Sequence, residues 1–179
     1  MADQLSDRDW LDLGLKVLAR NGVTALKAEP LAKAMGVSRG SFYWHFSDVE
    51  AFHAALLEHW REVTVEQIIR DVEASASDRD ALSVLLRRVF GTKPPALERA
   101  VRSWATFDPV ADAAVQTVDR RRLEYVEGLL KTSGLSADAA RARAQILYWA
   151  FLGFALSGQT LSRVRHAAIL NELLRIATQ

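Results

Sequence analysis

Apolar residues recur along this chain at the three- and four-residue spacings of an α-helix, so helices are predicted almost throughout. The first periodic set comprises Trp10, Leu13, Gly14, Val17 and Leu18. Ser6 is a suitable N-cap before this set, and Gly22 can adopt the left-handed conformation that ends a helix. We therefore predict a first helix between Ser6 and Gly22.

Two short helices are predicted next. The second should not begin before Pro30, because the residue that precedes a proline is disfavoured in the α region. Gly36 should end it with a left-handed turn. Ser38 is then a suitable N-cap for a third helix that runs to about His45.

A long fourth helix is predicted from Ser47, its expected N-cap, to about residue 73. Its periodic apolar positions are Val49, Phe52, Leu56, Trp60, Val63, Ile68 and Val72. Two very short helices thus give way to a long one near residue 47. We expect a domain boundary there, which divides the chain into residues 1–46 and 47–179.

Clusters of Gly, Pro, Ser and Asp separate the remaining helices. These breaks lie near residues 75–78, 91–95, 108–109, 133–134 and 157–158. Asp108 followed by Pro109 is typical of a helix start, and Ser136 is a suitable N-cap for the helix after it. In total we predict an all-α protein with about nine helices and no strand.

Composition narrows the class of protein. The 179 residues include no cysteine, which excludes disulfides, thiolate metal sites and a cysteine nucleophile. The chain starts with acidic and polar residues, so we expect no signal peptide. Its longest apolar run, residues 146–156, is 11 residues long, short of the ~20 that span a bilayer. We expect a cytoplasmic protein without a cofactor or a membrane partner.

Charge is unevenly distributed although the net charge is only +1. Between residues 16 and 39 five basic side chains stand against one acidic side chain, Glu29. Contact with nucleic-acid phosphates requires a local cluster of this kind rather than a high net charge. The five basic residues are Lys16, Arg20, Lys27, Lys33 and Arg39.

The stretch from Leu31 to Phe46 predicts a helix-turn-helix. Ala32 is small where two helices would cross, and Gly36 permits a tight turn. Phe42 and Phe46 lie on one side of the third helix and would pack inward. Two helices joined by a short turn that contains glycine, with the second presented outward, form the DNA-binding motif.

The other side of the third helix presents groups suited to a DNA major groove. Arg39 can donate two hydrogen bonds to guanine, and Ser41 can reach a base edge or a phosphate. Tyr43 and His45 suit phosphate oxygens, and Trp44 can meet thymine methyls and sugars. Tyr43 and Trp44 would add little to the stability of the fold from this outward face, which favours a role in DNA contact. The alternative is that they pack on a neighbouring subunit.

With these residues in place, the sequence resembles the TetR family of bacterial transcription regulators over roughly residues 10–56. The resemblance implies an N-terminal three-helix DNA-binding domain and a C-terminal helical domain that binds a small ligand and dimerises. It also implies, most often, a repressor whose homodimer binds a palindromic operator and is released by the ligand. The half-sites of such an operator would lie ~34 Å apart.

The resemblance implies a set of DNA contacts and also shows two departures. The implied contacts are Lys27, Ser38, Arg39, Gly40, Ser41, Tyr43, Trp44 and His45. Where the family usually has a capping threonine at the start of the second helix, this chain has Lys27 and Ala28, with Pro30 just beyond. Val49 stands where a phosphate-binding lysine usually opens the fourth helix, so non-specific DNA binding should be weaker. Lys27 is the candidate to replace the missing contact.

The penultimate predicted helix is apolar nearly all round, so it should be buried on more than one side. Small residues form a stripe along it, which allows close backbone approach. We expect this helix and the last predicted helix to form a four-helix bundle with the same two helices of a second copy, across a two-fold axis. The alternative is that the small-residue stripe packs only within one copy. The expected interface residues are Ile146, Ala150, Gly153, Ser157, Leu161, Val164 and Ala168.

Several aromatic residues fall on helices that would surround the interior of the C-terminal domain. A few of them, with polar neighbours, could line an apolar cavity for a small apolar or amphipathic effector. Each could equally be an ordinary core residue. The candidates are Trp60, Phe90, Arg102, Trp104, Phe107, Tyr125 and Trp149.

Other features have less specific interpretations. The four histidines lack the spacing of a zinc pair and are expected on helix surfaces or as hydrogen-bonded core groups. The triplet from Arg120 to Arg122 is expected to form a solvated face, with an acidic-ligand contact as the alternative. No nucleotide-binding, hydrolase or metalloprotease motif is present, which argues against an enzyme. An enzyme is thus the first alternative to a DNA-binding regulator. The second is a helical carrier or sensor that binds a small molecule and no DNA.

Overall fold

The structure is a computed structural model, and it describes residues 5–77, 80–91, 95–158 and 161–178. These residues form ten α-helices, a short 3₁₀ turn, a π-helical turn and no strand. The helices are α1 (Asp7–Asn21), α2 (Ala28–Met35), α3 (Arg39–His45), α4 (Val49–Arg61), α5 (Gln67–Ser75), α6 (Ala81–Val89), α7 (Ala96–Ala105), α8 (Pro109–Thr132), α9 (Ala137–Ser157) and α10 (Arg163–Thr178). Because the π-helical turn Glu62–Glu66 joins α4 to α5 without a break, these two count as one helix, and the predicted all-α fold with nine helices is confirmed.

The chain divides into two compact units. The first consists of Met1–Glu62 and Ala96–Gln116, and the second of Val63–Pro95 and Thr117–Gln179. Compactness thus groups α7 with the N-terminal helices, because α7 packs on α1. The boundary predicted after residue 46 lies at the end of the helix-turn-helix. The division of the chain into two functional domains at this point remains a prediction.

The core of the first unit is aromatic. Trp10, Phe42, Phe52 and Trp60 are fully buried. Gly14 lies where α1 crosses α4, and a Cβ at this position would lie only 2.7 Å from the Phe52 ring. The absence of a side chain at Gly14 therefore allows the two helices to approach closely.

The start of α2 differs from the prediction. The helix begins at Ala28, so Pro30 is its third residue rather than its first. The first four N–H groups of a helix have no partner within the helix, so a proline in this turn removes no hydrogen bond. Glu29 remains exposed and helical in spite of the proline that follows it.

The long helical stretch that starts at Val49 also differs in detail. Its N-cap is Asp48, whose carboxylate accepts from the N–H of Ala51 at 2.6 Å, rather than Ser47. Further along, Val65 and Ile69 are buried where the period predicted Val63 and Ile68. A π-helical turn contains one residue more than an α-turn, so it changes which residues share a face.

The second unit has two adjoining apolar clusters. The larger is formed by Leu82, Leu86, Phe90, Leu130, Ala140, Ala144, Leu147, Leu170 and Ala177. The smaller is formed by Val72, Ala81 and Leu85, with Tyr125 packed against it. These clusters bring α5, α6, α8, α9 and α10 together. None of the helices in the described ranges combines the length and hydropathy needed to cross a bilayer.

Candidate nucleic-acid interface

The turn between α2 and α3 has the geometry of a helix-turn-helix. Gly36 ends α2 in the left-handed conformation, with φ 72° and ψ 25°. Its N–H donates to the Lys33 carbonyl at 3.1 Å, and the N–H of Val37 donates to the Ala32 carbonyl at 3.0 Å. The turn is therefore closed by backbone hydrogen bonds that leave the chain ready to begin α3 two residues later.

Helix α3 is anchored by one fully buried side chain. The ring of Phe42 lies 5.5 Å from Trp10, 5.3 Å from Phe46 and 5.4 Å from Phe52, measured between ring centroids. The contacts with Trp10 and Phe52 are edge-on, and contacts of this kind add to the stabilisation from burial alone. The inward face of the short helix is thus fixed against α1, as predicted, and also against α4, where the sequence had suggested α2.

The outward face of α3 presents the groups predicted for DNA contact. Arg39 and Gly40 are exposed, Tyr43 is 41% exposed, and Trp44 is 90% exposed. Ser41 is half-buried at the edge of this face. We call the exposed side chains of Arg39, Tyr43 and Trp44, with the backbone at Gly40, the recognition face.

Two further predicted contacts lie at helix starts. Ser38 is the N-cap residue of α3, and its hydroxyl makes no capping hydrogen bond. Lys27 is the N-cap residue of α2 and is exposed, again without a side-chain cap. Both side chains can therefore turn toward a phosphate without breaking a capping interaction.

Within the recognition face, Arg39 and Tyr43 contact each other. The Arg39 Nη2 group donates to the Tyr43 hydroxyl at 3.1 Å, and the guanidinium lies 5.5 Å from the centre of the tyrosine ring. This hydrogen bond raises the pKa of Arg39 above its ordinary value, so the side chain remains cationic. Arg39 thus presents a cation held by Tyr43, and its contact with a base remains a prediction.

His45 is placed differently from the other predicted contacts. Its Nδ1 atom lies 2.6 Å from Oδ1 of Asp7, and its side chain is only 17% exposed. Its ring also lies beside Trp10, with centroids 6.1 Å apart. His45 therefore ties the end of α3 to the start of α1, and its contact with a phosphate remains a prediction that Nε2 alone would have to meet.

Four of the seven residues expected around the interior of the C-terminal domain lie in the first unit, and they do not share one environment. Trp60 and Trp104 are buried, whereas Phe107 is 67% exposed. Arg102 donates to Glu98 at 2.8 Å, and Glu98 is itself buried. Phe107 follows the end of α7 and lies in the turn before α8, so it does not line an interior as the sequence suggested.

The expected cavity-lining residues of the second unit also separate. Phe90 is buried, and Tyr125 is half-buried with a hydroxyl that finds no hydrogen-bond partner among the described residues. Burial raises the pKa of Tyr125, and the charge of Glu73 adds to the effect. Trp149 is 63% exposed, which corrects the expectation that it faces an interior.

The neighbour of Trp149 is the buried aromatic of α9. Tyr148 is 6% exposed, and its hydroxyl donates to Asp119 on α8 at 2.5 Å. Sequence reasoning missed this pair, because a helix that is apolar on all sides gives no periodic signal for its orientation.

A groove of about 280 Å³ lies between α9 and α10 of the second unit. Its lining is mostly apolar, with the imidazole of His166 and the hydroxyl of Ser157 as polar groups. The lining residues are Phe90, Ala150, Gly153, Phe154, Ser157, Leu161, His166, Ile169, Leu170 and Leu173. The groove thus brings together Phe90, expected in a ligand cavity, with four residues expected in a dimer interface.

The exposed apolar side chains of the second unit lie on α9 and α10. Ile146, Trp149 and Leu156 are exposed on α9, at spacings of three and seven residues. Gly153 is exposed between them and would leave a Cβ in open space. On α10, Val164 is 82% exposed, and Ala168 is also exposed. We call Ile146, Trp149, Gly153 and Leu156 the α9 stripe.

The arginine triplet of α8 points in three directions, as expected. Arg120 is exposed, and Arg121 lies 3.6 Å from the carboxylate of Glu66. The guanidinium of Arg122 lies 5.3 Å from the centre of the Phe151 ring. The triplet therefore does not form one basic patch.

Comparison with known proteins agrees with this geometry. Residues 11–56 match the family model of bacterial regulatory proteins of the tetR family. The chain is also 45% identical over 38 residues to the HTH-type transcriptional regulator AcrR of Shigella flexneri. That alignment covers 21% of this chain and 18% of AcrR, so it concerns the DNA-binding segment alone.

Solved structures resemble the fold over nearly the whole chain. The reduced form of Escherichia coli NemR superimposes with a TM-score of 0.78 at 19% identity, over 95% of this chain and 96% of NemR. The regulator FadR of Bacillus subtilis, solved with stearoyl-CoA, superimposes with a TM-score of 0.65 at 16% identity, over 97% of this chain and 98% of FadR. The family match at residues 11–56 and the geometry of those residues identify them as a tetR-family helix-turn-helix segment, and the whole chain shares the all-helical fold of these solved regulators.

Proposed function

We propose that this protein is a homodimeric repressor that binds a palindromic operator and releases it when a small apolar or amphipathic effector binds. The observation behind the DNA-binding part is the recognition face. Helix α3 is held by the buried Phe42, yet it exposes Arg39 and 90% of Trp44. A rigid helix with a cationic and aromatic outer face suits a major groove, where guanidinium groups read guanine and rings meet methyl groups.

The proposed DNA contacts divide into two classes. Arg39 and Trp44, with the close backbone approach that Gly40 permits, would read base edges. Lys27, Ser38, Ser41, Tyr43 and His45 would contact phosphates, which fix the position of the protein on the duplex. The exposed ammonium of Lys27 would supply the charge that Val49 cannot.

The proposed dimer uses α9 and α10 of each copy. The α9 stripe exposes three large apolar side chains around Gly153, and exposed apolar patches of this kind are typical of protein interfaces. Trp149, first expected in a ligand cavity, is then best placed at the centre of the interface. A second copy related by a two-fold axis would cover the stripe with its own α9 and α10. Two recognition faces would then bind half-sites ~34 Å apart.

The proposed effector would bind in the second unit. Phe90 and Tyr125 supply apolar surface and one buried hydroxyl that lacks a partner among the described residues. The resemblance to FadR, whose structure contains stearoyl-CoA, supports an effector with an acyl or similarly apolar part. The effector would release DNA by stabilising a conformation that binds DNA less well, with a coupling free energy of about 1–3 kcal/mol.

The first experiment is a selection of bound duplexes from a randomised DNA pool at near-physiological salt, with the molar mass of the protein measured in parallel. We expect enrichment of a palindrome with groove-spaced half-sites and the mass of a dimer. The variant Arg39→Ala should lose the preference at one position of each half-site, whereas Arg99→Ala, which removes an exposed arginine of α7, should retain the full sequence. A pool that stays random with folded protein would contradict the proposal and favour a helical carrier or sensor.

A further inference from the structure

Arg39 and Tyr43 contact each other on the recognition face. The two residues lie one helical turn apart on α3, and the Tyr43 hydroxyl accepts a hydrogen bond from the Arg39 Nη2 group at 3.1 Å. We infer that Tyr43 is a positioning residue: it orients the guanidinium of Arg39 toward a base and connects it to a DNA phosphate. This inference rests on the proposed DNA-binding function.

The donors and acceptors of the pair allow both roles at once. A guanidinium has five N–H groups, so the bond to Tyr43 leaves four for a base edge. A phenol hydroxyl accepts and donates, so the Tyr43 oxygen can accept from Arg39 while its own O–H donates to a phosphate. A base, Arg39, Tyr43 and the DNA backbone would then be joined in one chain of hydrogen bonds.

The tyrosine ring limits where the guanidinium can go. The Arg39 carbon Cζ lies 5.5 Å from the ring centre, within the range of a cation–π contact. The ring is itself held edge-on to the buried Phe42, with centroids 5.3 Å apart. The buried core thus holds the tyrosine ring, and the ring limits the orientation of the exposed Arg39 guanidinium. A planar group with several N–H donors binds more specifically when its orientation is fixed.

One competing group lies near enough to affect Arg39. The carboxylate of Glu29 on α2 contributes to the raised pKa of Arg39, but less than either contribution from Tyr43. Phosphates brought in by DNA would oppose a negative side chain, whereas the neutral hydroxyl of Tyr43 can remain in place. Tyr43 is therefore the partner that Arg39 can keep in the complex.

The test is a double-variant cycle on the selected operator. Arg39→Ala first identifies the base pair that Arg39 reads, as the position at which discrimination is lost. Tyr43→Phe then removes only the hydroxyl and keeps the ring on Phe42, so the fold should be unaffected, which circular dichroism checks. Dissociation constants are measured for the operator and for the operator substituted at that base pair, with each single variant and with the double variant.

We expect Tyr43→Phe to lower discrimination at that base pair by about 3- to 10-fold, part of the roughly 5- to 150-fold that a good bidentate contact provides. Discrimination at other positions should not change. In the Arg39→Ala background the same substitution should weaken all sequences alike and leave discrimination unchanged. The salt dependence should keep its slope, because a neutral hydroxyl releases no counterion.

The outcomes separate this inference from the proposed function. A Tyr43→Phe variant that binds every sequence more weakly by the same factor, with discrimination intact, would make Tyr43 a phosphate contact only and overturn the inference. Unchanged affinity and unchanged discrimination would overturn it as well. A wild-type protein without any sequence preference would overturn the proposed function together with the inference.

Discussion

The imidazole of His53 lies edge-on to the indole of Trp104, with ring centroids 5.1 Å apart and planes at 73°. His53 also lies within hydrogen-bond distance of the Leu26 carbonyl, at 3.1 Å from Nε2. The indole N–H of Trp104 in turn donates to Asp108 at 2.9 Å. These contacts connect the start of α8, the end of α7, α4 and the residue before Lys27 within the first unit.

Removal of the Asp108 carboxylate should destabilise this chain of contacts. Asp108 accepts from the N–H groups of Val110 and Ala111 at 2.8 and 3.1 Å, so it caps α8. Asp108→Ala should lower the free energy of unfolding by about 1 kcal/mol, the usual value of a lost N-cap. Asp138→Ala, which removes an exposed carboxylate from the first turn of α9, is the control and should cost less. Denaturant unfolding at pH 7 measures both.

The effect of Asp108 should depend on pH. The backbone N–H of Ala111 and the Trp104 indole hold the pKa of Asp108 below its ordinary value of 3.8. A carboxyl whose pKa is lower in the folded state stabilises the fold above the unfolded pKa and loses this contribution as the pH falls through the folded pKa. The difference between wild type and Asp108→Ala should therefore be constant above about pH 5 and shrink below the unfolded pKa. A difference that does not shrink would show that the cap acts independently of its charge.

Gly40 should matter for DNA and not for the fold. It lies within α3, and a Cβ would make only an ordinary 3.6 Å contact with Ser38. Gly40→Ala should therefore stabilise the protein by about 0.5–1 kcal/mol through helix propensity, and should weaken operator binding if the DNA backbone or a base approaches closely. Gly128→Ala on α8, where a Cβ meets nothing within 4 Å, should give the same stabilisation and leave binding unchanged. Equal operator affinity for both variants would remove Gly40 from the recognition face.

Gly14 should show the opposite behaviour. A Cβ there would lie 2.7 Å from Phe52 and 2.8 Å from Leu56, too close without movement of α1 or α4. Gly14→Ala should cost about 1–3 kcal/mol, the usual range for an overpacked core, even though alanine favours a helix. Thermal unfolding beside Gly128→Ala separates the two effects. An unchanged melting temperature would mean that the two side chains move aside freely.

Trp149→Ala should dissociate the proposed dimer. A central tryptophan of an interface is typically worth about 2–4 kcal/mol, so the dimer dissociation constant should rise by roughly 30- to 1000-fold. The monomer should remain folded, since the side chain is 63% exposed. Val110→Ala removes a 62% exposed side chain from the first unit and should leave the mass in solution unchanged. Sedimentation over a range of concentrations measures both, and an unaltered dimer would place the interface elsewhere.

The sequence predicted the parts of the fold that depend on local chemistry. The end of α2 at Gly36 could be predicted because a left-handed turn favours glycine. The inward position of Phe42 could be predicted because it follows from the helical period. The exposed recognition face followed from the same period. By contrast, α2 can start before Pro30 because the first N–H groups of a helix have no partner within the helix. The spacing of apolar residues gives no information on this.

The C-terminal half was harder to predict for a physical reason. Helix α9 is apolar on nearly every side, so its sequence does not distinguish Tyr148, which is buried, from Trp149, which is exposed. The change in register at Val65 depends on a π-helical turn, for which the residues give no recognisable signal. Phe107 was expected inside because it was assigned to a helix around the interior, whereas it lies in the turn before α8. In each case tertiary packing, rather than local preference, determines the outcome.

The hydrogen bond between His45 and Asp7 makes the first turn of α1 matter to the interface. Asp7 follows the Ser6 cap, whose hydroxyl and N–H both donate to Asp9. A chain shortened past this turn would keep every side chain of the recognition face, yet the end of α3 would lose one of its attachments. Chains trimmed past Asp7 are therefore expected to bind the operator more weakly than chains that retain it.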